Sequence, residues 1–162
     1  MDTQKHLTAM VDAFRASEEP IVLVVFGDHK PWLGNGNSVY QDLGIDLSQE
    51  TEESFYSYWS TPYVIWANGA ARALLGKDLQ GQGPDISPCY LMNLVFQQLG
   101  WEGPAFMQAM TGMMNMFPVV SSASGLTMVD GRLTADIPED RRALFQEFLY
   151  LQQYWRNEFL YE

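Results

Sequence analysis

The chain has 162 residues, near the commonest size of a single domain, and its 9 basic and 20 acidic side chains give a formal net charge of −11. A chain this acidic, without a cluster of basic residues, is not expected to bind nucleic acid or an anionic lipid surface. The single cysteine, Cys89, excludes an intrachain disulfide and a multi-cysteine zinc site. The apolar and aromatic contents of 47% and 14% exclude a disordered chain, and we expect residues 1–162 to form one domain.

The first predicted elements are a helix over residues 3–18 and a strand over residues 21–26. In the helix, apolar residues recur at i, i+3, i+4 and i+7 from Leu7 to Phe14, and Pro20 ends it. The strand is a continuous apolar, mostly β-branched run, which is typical of a strand buried on both faces of a parallel sheet. A helix followed by such a strand favours an α/β fold.

The middle of the chain has one recognisable strand. Residues 30–60 show no clear period, and we expect a long loop there, of the kind that is commonly functional or mobile. Residues 62–67 form an apolar run that predicts a second strand.

The second half predicts three helices and a hairpin. Ser87 and Pro88 are typical of a helix start, and Gly100 closes that helix. Pro104 opens a methionine-rich helix that we expect to pack in the core, and a last helix runs over residues 137–158. Between them, Asp130 and Gly131 predict a hairpin of residues 126–129 and 132–135. The expected fold is α/β, with a few parallel strands and an antiparallel hairpin flanked by helices.

Asp28 and His29 carry the clearest chemical signal in the sequence. They follow Gly27 at the end of the first strand, where open α/β sheets commonly place functional residues. A carboxylate with an imidazole suits Mn, Zn or Fe, and Mg less well. Neighbouring strand residues point to opposite faces, so both reach one ion only if the chain turns at Gly27. The alternative is that Asp28 and His29 bond only to the loop backbone.

Three other side chains are candidates for chemistry. Thr61 opens the second strand, where we expect a structural role rather than that of a nucleophile. Lys30 follows His29, and we expect a solvated lysine rather than a phosphate contact. Cys89 lies among apolar residues at a helix start, so we expect it to be buried and inert.

Four segments, in the same order, resemble the lipoteichoic acid synthase and phosphoglycerol transferase branch of the sulfatase/alkaline phosphatase superfamily. Residues 21–31 resemble its "hydrophobic strand, GDH, x, P" motif, and residues 60–68 its "TP, apolar strand, N" segment. Residues 85–91 are similar to the "IS, small, x, L" start of the next helix. Residues 148–161 resemble the closing "LLQYD" helix, with Trp155 in place of the aspartate.

This resemblance implies that Asp28 and His29 are metal ligands in a metal-dependent phosphoglycerol or phosphoethanolamine transferase. It implies an alkaline phosphatase-like fold of which this chain is the C-terminal part. The family's early glutamate, threonine nucleophile and substrate-binding histidine belong to an upstream half without counterpart here. We therefore assign no catalytic nucleophile and expect the chain alone to be inactive.

The resemblance also implies a cofactor, partners and a location. The cofactor is a divalent metal, with Mn²⁺ first and Mg²⁺ or Zn²⁺ as alternatives. The partners are the upstream half of the catalytic domain and a phospholipid head group or polyol phosphate as substrate. Proteins of this branch are membrane-anchored with the catalytic part outside the cytoplasm, although this sequence contains no apolar run long enough for a signal or membrane helix.

Two other functions stay open. One is a binding or interaction module that keeps the fold without catalysis. The other is a small self-contained metalloprotein in which Asp42, Asp46 or Glu50 joins Asp28 and His29. If part of the sheet lies outside this chain, an apolar strand edge is exposed, and self-association through that edge is expected.

Overall fold

A computed structural model describes residues 3–160, and the side-chain surroundings of residues 4–157. This part of the chain contains seven α-helices and five strands, which confirms a mixed α/β composition. It divides into two compact units that meet in sequence between Gln80 and Gly81, and each is described by itself. The expectation of one domain over residues 1–162 stays a prediction. Within the described residues, no helix is long and apolar enough to cross a membrane, and Tyr161 lies outside them.

The first unit contains two strands and four helices. A single 3₁₀ turn at Asn35–Asn37 leads into the second helix. The elements in chain order are α1 (Thr3–Ala16), β1 (Val22–Phe26), α2 (Ser38–Asp42), α3 (Glu52–Trp59), β2 (Tyr63–Ala67) and α4 (Gly69–Leu75).

β1 and β2 form a two-stranded antiparallel sheet, in which Val22 pairs with Ala67, Val24 with Ile65 and Phe26 with Tyr63. The prediction of parallel strands is therefore wrong for the described residues, where all strand pairing is antiparallel. The physical reason is that residues 27–62 leave β1 and return to β2 at the same end of the sheet. A continuous apolar run indicates burial but does not specify the direction of the neighbouring strand. β1 is also less buried than expected, because four of its residues are half-buried and Phe26 is exposed.

The predicted loop over residues 30–60 contains two short helices, α2 and α3. α3 begins with a reciprocal cap: the Thr51 hydroxyl accepts the Ser54 N–H at 3.1 Å, and the Ser54 hydroxyl accepts the Thr51 N–H at 2.9 Å. Glu52 and Glu53 occupy the first turn, where negative charge interacts favourably with the helix dipole. These local contacts stabilise a helix that is too short to show a hydrophobic period.

Asn68 binds the backbone of three segments of the first unit and is fully buried. Its Oδ1 accepts the N–H of Ile21, before β1, at 3.1 Å, and the N–H of Ala71, in the first turn of α4, at 2.9 Å. Its Nδ2 donates to three carbonyl oxygens at and after the end of α1. They belong to Phe14 (3.1 Å), Ser17 (3.2 Å) and Glu19 (2.7 Å). One amide therefore satisfies backbone groups where α1 ends and where β1 and α4 begin.

The second unit contains three helices and a three-stranded antiparallel sheet with the order β3–β4–β5. A 3₁₀ turn at Pro88–Tyr90 precedes its first helix. The elements are α5 (Leu91–Leu99), α6 (Ala105–Met116), β3 (Val120–Ser121), β4 (Leu126–Val129), β5 (Arg132–Thr134) and α7 (Glu139–Leu160).

The hairpin predicted around Asp130 and Gly131 is confirmed, with Val129 opposite Arg132. Asp130 has φ 49° and Gly131 has φ 77°, the pair of positive values that a tight hairpin turn requires. Gly100 ends α5 in the left-handed conformation, as predicted. α7 begins and ends two residues later than its predicted bounds of 137–158.

Ser87 was expected to cap the helix that follows it, and instead it binds β3. Its hydroxyl accepts the Val120 N–H at 2.7 Å and donates to the Val120 carbonyl at 3.0 Å. Its own N–H donates to the Pro118 carbonyl at 2.8 Å. The buried Ser87 therefore joins the segment before α5 to the strand that follows α6.

Aromatic and methionine side chains fill the core of the second unit. Tyr90 and Phe117 are fully buried, and the ring of Tyr90 lies 5.9 Å from that of Phe148. Met110, Met113 and Met114 of α6 are buried as predicted; all three side chains are less than one-tenth exposed. The Tyr90 hydroxyl has no hydrogen-bond partner among the described residues.

We expect Asn68→Ala to lower the free energy of unfolding of the first unit by about 3–4 kcal/mol. The substitution removes five hydrogen bonds and leaves backbone groups, most of them partly buried, without their partner. Urea denaturation measures the effect, with Asn35→Ala as the control because Asn35 is exposed in the same unit. Equal effects of the two substitutions would contradict a central role for Asn68.

Replacing tyrosine with phenylalanine is expected to have opposite outcomes at two buried positions. Tyr90→Phe removes an unpaired hydroxyl and should leave stability unchanged or raise it by up to about 1 kcal/mol. Tyr40→Phe removes a hydrogen bond of 2.9 Å to the Pro31 carbonyl and should lower stability by about 1 kcal/mol. Thermal denaturation compares them, and a greater loss for Tyr90→Phe would contradict the absence of a partner for its hydroxyl.

Candidate metal site at the end of the first strand

Three hydrogen bonds hold the segment after β1 against the segment before β2. The Gly27 N–H donates to the Pro62 carbonyl at 3.1 Å, which extends the strand ladder by one pair. The Thr61 hydroxyl donates to the Gly27 carbonyl at 2.6 Å. The Lys30 ammonium donates to the Ser60 carbonyl. The turn that carries Asp28 and His29 is therefore attached on both sides of the pair.

Gly27 is required by the close approach of Thr61. A Cβ at position 27 would lie 3.0 Å from the Thr61 Cβ, closer than side chains normally pack. The φ of Gly27 does not lie in the left-handed region, so backbone strain is not the reason for a glycine here. Its small size lets the two segments meet and keeps the Thr61 hydroxyl within reach of the Gly27 carbonyl.

The structure brings the side chains of Asp28 and His29 together on the solvent-exposed surface. The His29 Nε2 lies 3.5 Å from Asp28 Oδ2, and the His29 and Asp28 side chains are 76% and 80% exposed. The His29 Nδ1 lies 3.0 Å from the Lys30 carbonyl oxygen. When Nδ1 carries the proton and donates to that carbonyl, the Nε2 of a neutral ring has its lone pair free for a metal.

The Asp28–His29 pair, defined by Asp28 Oδ2 and His29 Nε2, fits a divalent cation. Metal–nitrogen and metal–oxygen bonds of about 2.0–2.2 Å allow one ion to contact two ligand atoms that are 3.5 Å apart. The other oxygen, Asp28 Oδ1, accepts the backbone N–H of His29 at 2.8 Å. The carboxylate of Asp28 can therefore bond to the loop backbone through Oδ1 while Oδ2 stays available to an ion.

The described residues place two candidate ligands together rather than a set of three. No group of three or more His, Cys, Asp and Glu side chains within residues 3–160 is arranged to hold a metal ion. Asp46, one of the expected additional ligands, instead accepts the Ser48 N–H at 2.8 Å and the Ser48 hydroxyl at 3.2 Å. Asp42 and Glu50 are exposed, and they do not complete a three-ligand group with Asp28 and His29.

Lys30 and Tyr40 have positioning roles that the sequence did not reveal. Lys30 is half-buried and bonded to Ser60, so it is not the freely solvated lysine that was expected. Tyr40 is 7% exposed and donates to the Pro31 carbonyl at 2.9 Å, which ties α2 to the segment after His29. Neither side chain lies in a periodic stretch, and the Lys30 partner is 30 residues away, so no local pattern indicates these contacts.

Thr61 and Cys89 are poor candidates for a nucleophile. The Thr61 hydroxyl donates a hydrogen bond to the Gly27 carbonyl, which is the structural role expected for it. Cys89 is exposed, so the prediction that it is buried is wrong; Tyr90 and Leu91, which follow it, are buried, while Cys89 faces solvent. The protein atoms that do surround the sulfur raise the pKa of the thiol to about 11, which keeps it protonated and weakly reactive near neutral pH.

Comparison with protein-family models, curated proteins and solved structures gives no match for this chain. The resemblance to the phosphoglycerol transferase branch of the sulfatase/alkaline phosphatase superfamily therefore stays a prediction. It rests on the four sequence segments alone.

We expect Gly27→Ala to lower the free energy of unfolding by about 1–3 kcal/mol, because the added methyl group must displace Thr61. Gly69→Ala is the matched control. The new Cβ there meets nothing within 4 Å, and alanine favours the start of α4. Urea denaturation of both variants measures the difference, and equal stability would contradict the close approach of Gly27 and Thr61.

Proposed function

We propose that this chain supplies two ligands, Asp28 and His29, to the divalent metal site of a sulfatase-like phosphoglycerol or phosphoethanolamine transferase. The observation that carries the proposal is the 3.5 Å separation of Asp28 Oδ2 and His29 Nε2 on exposed side chains directly after a strand. The four family-like segments support the same conclusion, and an alkaline phosphatase-like fold of the complete domain belongs to this proposal.

One imidazole and one carboxylate suit Mn²⁺ or Zn²⁺ better than Mg²⁺, and the family resemblance places Mn²⁺ first. When bound in a complete site, such an ion stabilises charge on a phosphoryl group and lowers the pKa of a nucleophile. The residues of this chain bind the ion and orient its two ligands. The Lys30 carbonyl orients the His29 ring, and the Gly27–Thr61 contact fixes the turn that presents both ligands.

The remaining parts of the reaction require groups from another segment. A catalytic metal commonly has three protein ligands, and the described residues provide two. The Thr61 hydroxyl is hydrogen-bonded to the Gly27 carbonyl, and the Cys89 thiol stays protonated, so neither serves as the nucleophile. The chain alone is therefore inactive in this proposal. A partner segment provides the nucleophile and contacts the phospholipid head group or polyol phosphate.

The two histidines of the chain provide an internal control for metal binding. Increasing amounts of Mn²⁺ are added, and the imidazole proton signals are followed by nuclear magnetic resonance, because bound Mn²⁺ broadens nearby signals. We expect the His29 signals to broaden at a Mn²⁺ concentration about tenfold lower than the signals of His6, which is exposed on α1.

Two substitutions sharpen this experiment. Asp28→Asn removes the carboxylate ligand and should abolish the difference between the histidines. Asp46→Asn should preserve it, since Asp46 is also an exposed aspartate that accepts a nearby backbone N–H. Equal broadening of both histidines in the native chain, or no effect of Asp28→Asn, would overturn the proposed metal pair.

An assay with bis(p-nitrophenyl) phosphate and Mn²⁺ tests whether catalysis requires a second protein segment in addition to this chain. We expect no hydrolysis by the chain alone. Hydrolysis that disappears in Asp28→Asn would instead show a complete site within this chain, and would support the self-contained metalloprotein.

A further inference from the structure

The hydrogen-bonding groups of β1 divide between its two edges. The Gly27 N–H bonds to the Pro62 carbonyl, and the Asn68 N–H bonds to the Ile21 carbonyl. Since hydrogen-bonded pairs alternate along an antiparallel ladder, Leu23 and Val25 also face β2. The backbone groups of Val22, Val24 and Phe26 therefore point away from β2. Among the described residues, no strand pairs with this outer edge of β1.

The outer edge lacks the features by which proteins usually prevent pairing between strands. Residues 21–27 contain no charged residue and no proline, and β1 has the regular register of an unbulged strand. Phe26 is 56% exposed although it lies in an apolar strand. A sheet of two strands is also below the size that is usually stable in water.

We propose that two copies of this chain associate by antiparallel pairing of β1 with β1, in a four-stranded sheet of order β2–β1–β1–β2. Val24 lies opposite Val24 of the partner subunit, and Val22 lies opposite Phe26 of the partner subunit. The three residues with open backbone groups are symmetric about Val24, so the same strand satisfies both sides of a twofold contact. Each hydrogen-bonding group on one edge then meets its complement on the other.

The symmetry and the charge distribution favour a second copy as the occupant of this edge. β1 carries no charge, so no like charges meet at the contact itself. Acidic residues flank the strand, since the same register places Asp28 near Glu19 of the partner subunit, and with the net charge of −11 on each chain they oppose association. Salt screens such repulsion, so the dimer becomes tighter as ionic strength rises.

Proline substitutions at Val24 and Ile65 test which edge pairs. These residues are opposite one another in the β1–β2 register, and the N–H of each points away from the other strand. Val24→Pro removes a donor from the outer edge of β1, and Ile65→Pro makes the same change on the outer edge of β2; neither removes a β1–β2 hydrogen bond. We expect the native chain and Ile65→Pro to sediment at twice the 18.4 kDa of one chain, and Val24→Pro to sediment as a monomer.

Circular dichroism shows whether either proline variant fails to fold. In that case a second matched pair of substitutions tests the same edge. Phe26 and Val64 are 56% and 55% exposed, and only Phe26 has its backbone on the outer edge of β1. Phe26→Lys should weaken the dimer at least about tenfold, and Val64→Lys should have a smaller effect.

Amide hydrogen exchange gives a direct readout at the strand. As protein concentration rises, exchange at the Val24 N–H should slow while exchange at the Ile65 N–H stays unchanged. A single 18.4-kDa species up to about 1 mM chain would overturn the proposal, as would a dimer that Ile65→Pro disrupts and Val24→Pro does not. A dimer unaffected by either proline and by Phe26→Lys would also overturn it, because it would form through another surface.

Discussion

The amide of Asn68 is the contact on which the first unit depends most. A sheet of two strands has too little hydrogen bonding and too little buried surface to position the helices around it. Asn68 supplies what the sheet lacks, because one buried side chain bonds to the backbone after α1, before β1 and at the start of α4. Its Oδ1 accepts two donors and its Nδ2 faces three acceptors, so a smaller side chain or one with reversed polarity does not replace it.

This contact also influences the candidate metal site from the opposite end of β1. Asn68 fixes the start of the strand through Ile21, while the Gly27–Thr61 contact fixes its end. Asp28 and His29 therefore follow a strand that is held at both ends, although their own side chains are largely exposed. The exposure leaves the pair accessible to an ion, and the fixed backbone holds the two residues side by side, which would lower the entropy cost of the proposed metal binding.

How much of the structure was predictable depends on the separation of the interacting residues along the chain. The hairpin at Asp130 and Gly131 was predictable because adjacent residues determine the turn. The end of α5 at Gly100 was predictable for the same reason. The antiparallel pairing of β1 with β2 was not, because an apolar run carries no information about a partner some 40 residues away. Ser87 is a second example. A serine before a proline predicts a local helix cap, but its hydroxyl bonds to Val120, 33 residues away.

The same distinction between local and long-range contacts applies to the candidate site. Asp28 and His29 were predictable as a pair because they are adjacent and follow an apolar strand. Their geometry depends on Thr61 and Ser60, which meet Gly27 and Lys30 across more than 29 residues, so the sequence alone did not give it. Only residue type and position in the long loop indicate the expected additional ligands, Asp42, Asp46 and Glu50. The structure bonds Asp46 to Ser48 instead, since an aspartate in a turn forms hydrogen bonds with the following residues readily.

The proposed metal pair and the proposed strand pairing both involve β1 but use different residues. In the antiparallel contact centred on Val24, the two Asp28–His29 pairs lie far apart, so neither supplies a ligand to the other. The same register places Asp28 opposite Pro20 of the partner subunit, beside the acidic Glu19 of the partner subunit. A divalent ion at Asp28 offsets part of this negative charge, so metal binding and dimer formation should favour one another.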